Sequence, residues 1–193
     1  MTLRGILSGL SAVVVGVVLG LGSIYGLLIG GGGFRGVSHA GWSYNPLAGS
    51  KGADPYTRLK VAAGGLLALS KTETIYFTAD NDSEGRPLRA DCRYRITGDP
   101  MPVRWWSITV YDKGYLPRND DGAPSIDMTR APAGRWSAQL GGVRPASGLW
   151  ISTAKSTDLS LLLRFYNPAP DVVADPSRAP MPTVTREACR GAA

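Results

Sequence analysis

Arg164 interrupts the apolar run Leu161-Leu162-Leu163 and is followed at once by Phe165 and Tyr166. A guanidinium in that setting needs a partner, because an unpaired charge taken out of water is strongly unfavourable. Two arrangements would satisfy it. Asp112 could supply a structural ion pair, or Arg164 could face a cavity beside Tyr166 and hold a ligand's carboxylate or phosphate through its planar fork of donors. Trp105 and Tyr111 fall on one face of an alternating segment, where they either stack on a sugar or fill a core. Trp105, Tyr111, Arg164 and Tyr166 are thus the candidate ligand-binding residues, for a small acidic ligand or a sugar.

Other chemistry finds little material. His39 is the one histidine, and it lies close to the amino-terminal apolar segment, so neither a Ser-His-Asp arrangement nor a multi-histidine metal site can be assembled further along the chain. No catalytic residue, metal ligand or cofactor site is assigned. A carboxylate pair remains as the basis of an alternative, enzymatic reading. The available acids, among them Asp80, Asp82, Asp99, Asp120 and Asp121, sit in turn-like contexts. Asp80 to Gly85, with Asp91 at the twelfth position, superficially matches a calcium loop, but Pro87 and strand-like flanks favour a hairpin turn.

These side chains must be carried by something, and the chain begins with a membrane-type segment. The thirty residues from Gly5 to Phe34 hold no charged side chain and are bounded by Arg4 and Arg35. At about 1.5 Å per residue, roughly 20 helical residues cross the ~30 Å hydrocarbon layer. A short leader before such a segment is the layout of an export signal, and its length favours a retained anchor over a cleaved peptide. The expectation is a single-pass protein of the cytoplasmic membrane with its domain outside, in the periplasm or exterior. Ser8, Ala12, Gly16 and Gly20 form a small-residue face on which two copies of the helix could pair.

Residues 1–34 are therefore read as a signal-anchor, 35–53 as a flexible linker with Trp42 and Tyr44 at headgroup level, 54–182 as a β-rich domain and 183–193 as a tail. Asp54-Pro55 starts an amphipathic helix expected to run to Ser70. From Thr74 the period switches to two, giving strands Thr74–Ala79, Leu88–Ile96, Arg104–Tyr111, Trp136–Leu140, Leu149–Thr153 and Leu161–Tyr166. An antiparallel β-sandwich of jelly-roll type follows. The stretch after Asn167, with Pro168, Pro170, Pro176, Pro180 and Pro182, reads as extended coil.

Without Arg4 the chain carries 20 Lys plus Arg against 15 Asp plus Glu, a net of +5. The charges are interleaved and lack nucleic-acid-reading motifs, so no nucleic-acid partner is expected. Cys92 and Cys189 would both be exported; they either pair in an oxidising compartment or remain as two buried thiols.

Three fragments occur in order: Asp82-x-x-Gly85-x-x-Leu88 leading to Tyr94, Trp106-Ser107-x-Thr109-x-Tyr111-Asp112, and Leu163-Arg164-Phe165-Tyr166-x-Pro168. Together they resemble the bacterial family known as domain of unknown function 1214, over most of Thr57 to Pro182. The resemblance implies an exported or envelope protein with a jelly-roll-like β fold and no established activity. Family members often carry a companion amino-terminal domain; here a membrane helix takes that place. Trp150-Ile151-Ser152-Thr153-Ala154 lacks the prolines that relatives tend to have at this point. The leading functional reading is a membrane-anchored domain that binds a partner or a small acidic or carbohydrate ligand without catalysis; a carboxylate enzyme and an assembly subunit are the alternatives.

Overall fold

The computed structural model describes residues 3–29, 36–63, 69–118 and 121–190. Helix α1 spans Leu3–Ile29, and its Gly5–Gly26 portion, 22 residues with a mean hydropathy of 2.2, is long and apolar enough to cross a membrane. Its serines are satisfied within the helix: Ser11 Oγ donates to the Leu7 carbonyl at 2.9 Å and Ser23 Oγ to Gly20 at 2.8 Å. That is what a hydroxyl without water requires. Helix α2, Pro55–Ala63, starts as its sequence predicts. Asp54 Oδ1 accepts from the backbone N–H groups of Tyr56 and Thr57 at 2.9 and 3.0 Å, filling donors that the first turn leaves open. The expected extension fails at its end, since Leu69 and Ser70 are not helical; Leu66 and Leu67 lie outside the described residues.

α1 and α2 belong to one compact unit and all the strands to another. The second unit is mainly β. Its strands are β1 Val37–His39, β2 Trp42–Tyr44, β3 Thr74–Ala79, β4 Cys92–Gly98, β5 Val103–Asp112, β6 Ser125–Asp127, β7 Trp136–Gly141, β8 Leu149–Ser152, β9 Leu159–Pro168 and β10 Thr183–Cys189. They form a six-stranded sheet ordered β1-β2-β3-β9-β5-β6 and a four-stranded sheet ordered β10-β4-β7-β8. All pairs are antiparallel except β7 with β8, which is parallel and departs from the all-antiparallel expectation.

The alternation of side chains gives each sheet one apolar face. Phe77, Phe165, Ile108, Val110 and Leu163 from the large sheet, and Tyr94, Ile96, Leu140 and Ile151 from the small one, join a single core. Trp106 on β5 stacks on Trp136 on β7 with ring centroids 4.7 Å apart, so the two layers meet there. Gly98 pairs with Trp136 across the small sheet, and a Cβ at Gly98 would lie 2.4 Å from that indole. Gly98→Ala should therefore destabilise the domain by about 1–3 kcal/mol through overpacking, read as a lower denaturation midpoint. An unchanged midpoint would mean that the tryptophan stack can slide.

Two stretches differ from their sequence reading. Residues 37–44, expected within a linker, form β1 and β2, and Trp42 is buried with its Nε1 donating to the Pro182 carbonyl at 2.7 Å. Trp42 and Tyr44 thus pack in the protein core, Tyr44 against Phe77, in place of lipid headgroups. The proline-rich end is also ordered. β9 runs to Pro168, a short helix α3 spans Pro170–Ala174, a 3₁₀ turn spans Pro176–Arg178, and β10 follows as an edge strand where prolines have ended. Cys189 faces Cys92 across β10 and β4, and the two are joined in a disulfide.

Candidate functional site

The polar face of the large sheet collects the predicted residues. On β5 the alternation puts Trp105, Ser107, Thr109 and Tyr111 together. Registers then place Arg164 of β9 between Ser107 of β5 and Tyr76 of β3, and Tyr166 opposite Trp105. Trp105 and Tyr166 have ring centroids 5.2 Å apart. All four sequence candidates therefore share one face, and Tyr76 and Thr109 join them. Neither was singled out from sequence, although the alternation of β3 already sets Tyr76 between Thr74 and Thr78 on its polar side.

Arg164 is half-buried, and its terminal nitrogens donate to Thr109 Oγ1 at 2.9 Å and to the Tyr111 hydroxyl at 2.5 Å. Its guanidinium carbon stands 5.8 Å from the Tyr111 ring centroid, within cation–π range. Among the described residues no carboxylate lies within ion-pairing distance of it. Asp127 occupies the same cross-strand row two strands away, about 9–10 Å at the usual strand spacing, and its carboxylate instead accepts from Thr129 N at 2.8 Å and from the Thr129 hydroxyl. Burial, followed by the neighbouring Tyr166, raises the Tyr76 phenol above its ordinary value, so Tyr76 stays neutral and able to donate.

Asp112 does not pair with Arg164. Being one residue beyond Tyr111, it projects to the other side of the strand, and its Oδ1 accepts from Thr157 N at 2.9 Å and Asp158 N at 2.8 Å. Those backbone bonds hold its carboxyl below the usual range. A neutral-hydroxyl setting for the guanidinium is the outcome neither sequence alternative described.

The remaining acids are mostly committed. Asp99 accepts two bonds from Arg135, and Asp121 accepts from Ser152 Oγ at 2.5 Å. Asp120 lies outside the described residues. The Asp82 side chain is fully buried; its Oδ1 accepts from Glu84 N and Arg86 N, and its Oδ2 meets Arg86 Nε at 2.9 Å and Arg186 Nε at 3.2 Å. Burial opposes ionisation, but the hydrogen bonds from Arg86 outweigh it and hold this carboxyl low. With three hydrogen bonds and the Arg186 charge on this carboxylate, the loop is a hairpin turn closed by the isolated bridge Asn81 to Pro87. Asp80 and Asp158 do share a recess of about 630 Å³ with Lys113. Desolvation and the charge of Asp158 raise the Asp80 carboxyl, although much of the residue remains exposed. His39 Nε2 lies 3.3 Å from the Ala179 carbonyl. Among the described residues no group of three or more His, Cys, Asp or Glu is placed to hold a metal.

The fold has solved relatives. The VPA0106 protein from Vibrio parahaemolyticus superposes with a TM-score of 0.55 at 19% identity, over 71% of this chain and 36% of its own. An uncharacterised protein from Burkholderia cenocepacia gives a TM-score of 0.45 at 16% identity, over 59% of this chain and 29% of its own. The chain thus spans about a third of the length of these solved relatives. No curated protein matches it. The family model described as "Protein of unknown function (DUF1214)" matches residues 73–170, which include β3 to β9 and every residue around Arg164. Covering half of the chain, that match places the protein in the DUF1214 family.

Proposed function

We propose that this protein is a membrane-held domain that binds a small acidic ligand at Arg164, on the polar face of its large sheet, without doing chemistry on it. The observation that carries this reading is a half-buried guanidinium bonded to two hydroxyls and, among the described residues, to no carboxylate. A ligand carboxylate or phosphate would supply the missing countercharge with paired, charge-assisted hydrogen bonds. Trp105, Tyr111 and Tyr166 would supply flat apolar walls, suited to a sugar acid. The α1 segment supports a single-pass anchor, and the disulfide supports a domain on the oxidising side of the cytoplasmic membrane. Paired small-residue faces of α1 would make a dimer in the membrane.

The test is a thermal-shift screen of the full chain in a neutral detergent against uronic acids, small carboxylates and inorganic phosphate. A ligand at a hundred times its dissociation constant should add about 2.7 kcal/mol. Arg164→Met should abolish that shift while leaving the unliganded melting temperature nearly unchanged. A large loss of stability in Arg164→Met would make the arginine structural and overturn the reading.

The enzymatic alternative has one observation in its favour, the Asp80 and Asp158 pair beside Lys113, where a carboxyl raised by desolvation and then by its neighbour has acid–base character.

A further inference from the structure

On the small sheet, away from Arg164, an open cleft of about 1190 Å³ runs beside the disulfide. One wall is the turn into β4 and the end of β10, which Cys92–Cys189 fixes together. The opposite side is the crossover from β7 to β8 and the loop that follows β8. Its lining includes Arg89, Arg93, Arg144, Lys155 and Arg190, against one acid among the described residues, Asp91.

The pairing of these charges leaves a surplus. Asp91 is occupied by Arg89, through bonds of 2.9 and 2.6 Å. Arg93 and Arg95 share one acid, Glu187, so that group keeps a positive charge. The guanidinium carbon of Arg144 sits over Trp150, 5.0 Å from the ring centroid, and neither Arg144 nor Arg190 has a carboxylate within ion-pairing distance among the described residues. Two guanidinium groups, Arg144 and Arg190, therefore face the concavity without a carboxylate partner among the described residues, and the Arg93, Arg95 and Glu187 group adds a net positive charge at its edge. The backbone holds them in place: Trp150 Nε1 donates to the Gly141 carbonyl at 2.9 Å, Arg190 N donates to Asp91 O at 2.9 Å, and the Arg93 side chain lies across Gly141, where a Cβ would come within 3.5 Å of it.

The shape narrows the partner. A planar headgroup layer cannot enter a recess of this kind, and among the described residues no aromatic lines it while Trp150, beneath Arg144, is 5% exposed, which leaves no platform for stacking bases. Arginine forks match carboxylates and phosphates. The volume exceeds the roughly 300–1,000 Å³ of ordinary small-molecule pockets, so several linked units fit. We infer that this cleft is a second binding site, for an anionic oligomer carrying carboxylates or phosphates on successive units.

The experiment is calorimetric titration of the full chain, in neutral detergent at low salt, with hexagalacturonate, with tripolyphosphate and with neutral maltohexaose. At least one acidic oligomer should bind and the neutral one should not, with binding weakened by added salt. Binding of hexagalacturonate alone identifies a carboxylated sugar; binding of tripolyphosphate alone identifies a phosphate chain. Arg144→Gln with Arg190→Gln should weaken binding at least tenfold. Arg104→Gln with Lys71→Gln, which removes the same charge outside the cleft, should leave it unchanged, with every titration made in the Arg164→Met background so that acid binding on the large sheet does not contribute. If the cleft variant lost its melting transition, Gln139→Glu, which adds a negative charge to the cleft lining, replaces it with the same expectation. Silence with both acidic oligomers, binding of maltohexaose, or equal loss in the cleft and control variants would overturn the inference.

Discussion

Asp82→Ala should destabilise the domain by about 3–5 kcal/mol, the range for breaking a buried ion pair from one side. The carboxylate is wholly buried and meets two backbone N–H groups, Arg86 and Arg186. Arg186 is itself only 17% exposed, sits 5.5 Å from the Tyr94 ring and donates to the Pro87 carbonyl. Removing the carboxylate would strand a largely buried guanidinium and open both turn amides. The same turn is sewn to β10 by Ser83 N to Val184 O and by Val184 N to Ser83 Oγ, at 2.9 and 2.8 Å, so the damage should reach the strand. Asp82→Asn, which keeps an acceptor, should cost less. A urea midpoint within about 1 kcal/mol of wild type for the alanine variant would show that water replaces the pair freely.

The pH dependence follows the same group. Its folded pKa is depressed, so its contribution is fully present above the unfolded carboxylate value of about 3.9 and is lost as pH falls through the lower folded value. Wild type should lose stability steeply below about pH 4, and Asp82→Asn should flatten that fall while leaving the slope of stability with pH between 5 and 7 unchanged.

Cys92→Ser with Cys189→Ser should also be severe. The bridge closes a separation of 97 residues, for which the chain-entropy relation gives about 4–5 kcal/mol as an upper figure. β10 is an edge strand whose sheet partner is β4, and it brings Val184, Arg186 and Glu187 to the body. Melting with and without reductant reads the effect, and coincident curves would refute it. Because both changes loosen β10, their costs should be less than additive when Asp82→Ala is combined with the cysteine pair.

How far the sequence could be read depended on the range of the forces involved. β3 has the limits its alternation predicts, Thr74–Ala79, and the shared face of Trp105, Tyr111, Arg164 and Tyr166 follows from periodicity alone. β1 and β2 are three residues each, too short for a period, and are set by Trp42 reaching Pro182, 140 positions away. Asp82 looked like an ordinary turn acid because Arg186, its second cation, lies on a strand about a hundred residues later. β4 begins at Cys92 and not at Leu88, since Leu88 to Asp91 are taken up by a turn in which Arg89 N donates to the Tyr94 hydroxyl. The cleft is assembled from four separated stretches, and no local pattern marks it.

The position of Trp42 has a mechanical meaning. In a chain held by α1, tension would arrive first at β1, an edge strand paired with β2 alone, and β2 in turn has a single registered partner pair with β3, Ser43 to Thr78. Peeling β1 would yield slack of about 3.3–3.6 Å per residue, until the pull met the buried indole of Trp42 and its bond to Pro182. Were α1 to tether the chain, Trp42 would be the point at which the slack ends and the load reaches the β-sandwich.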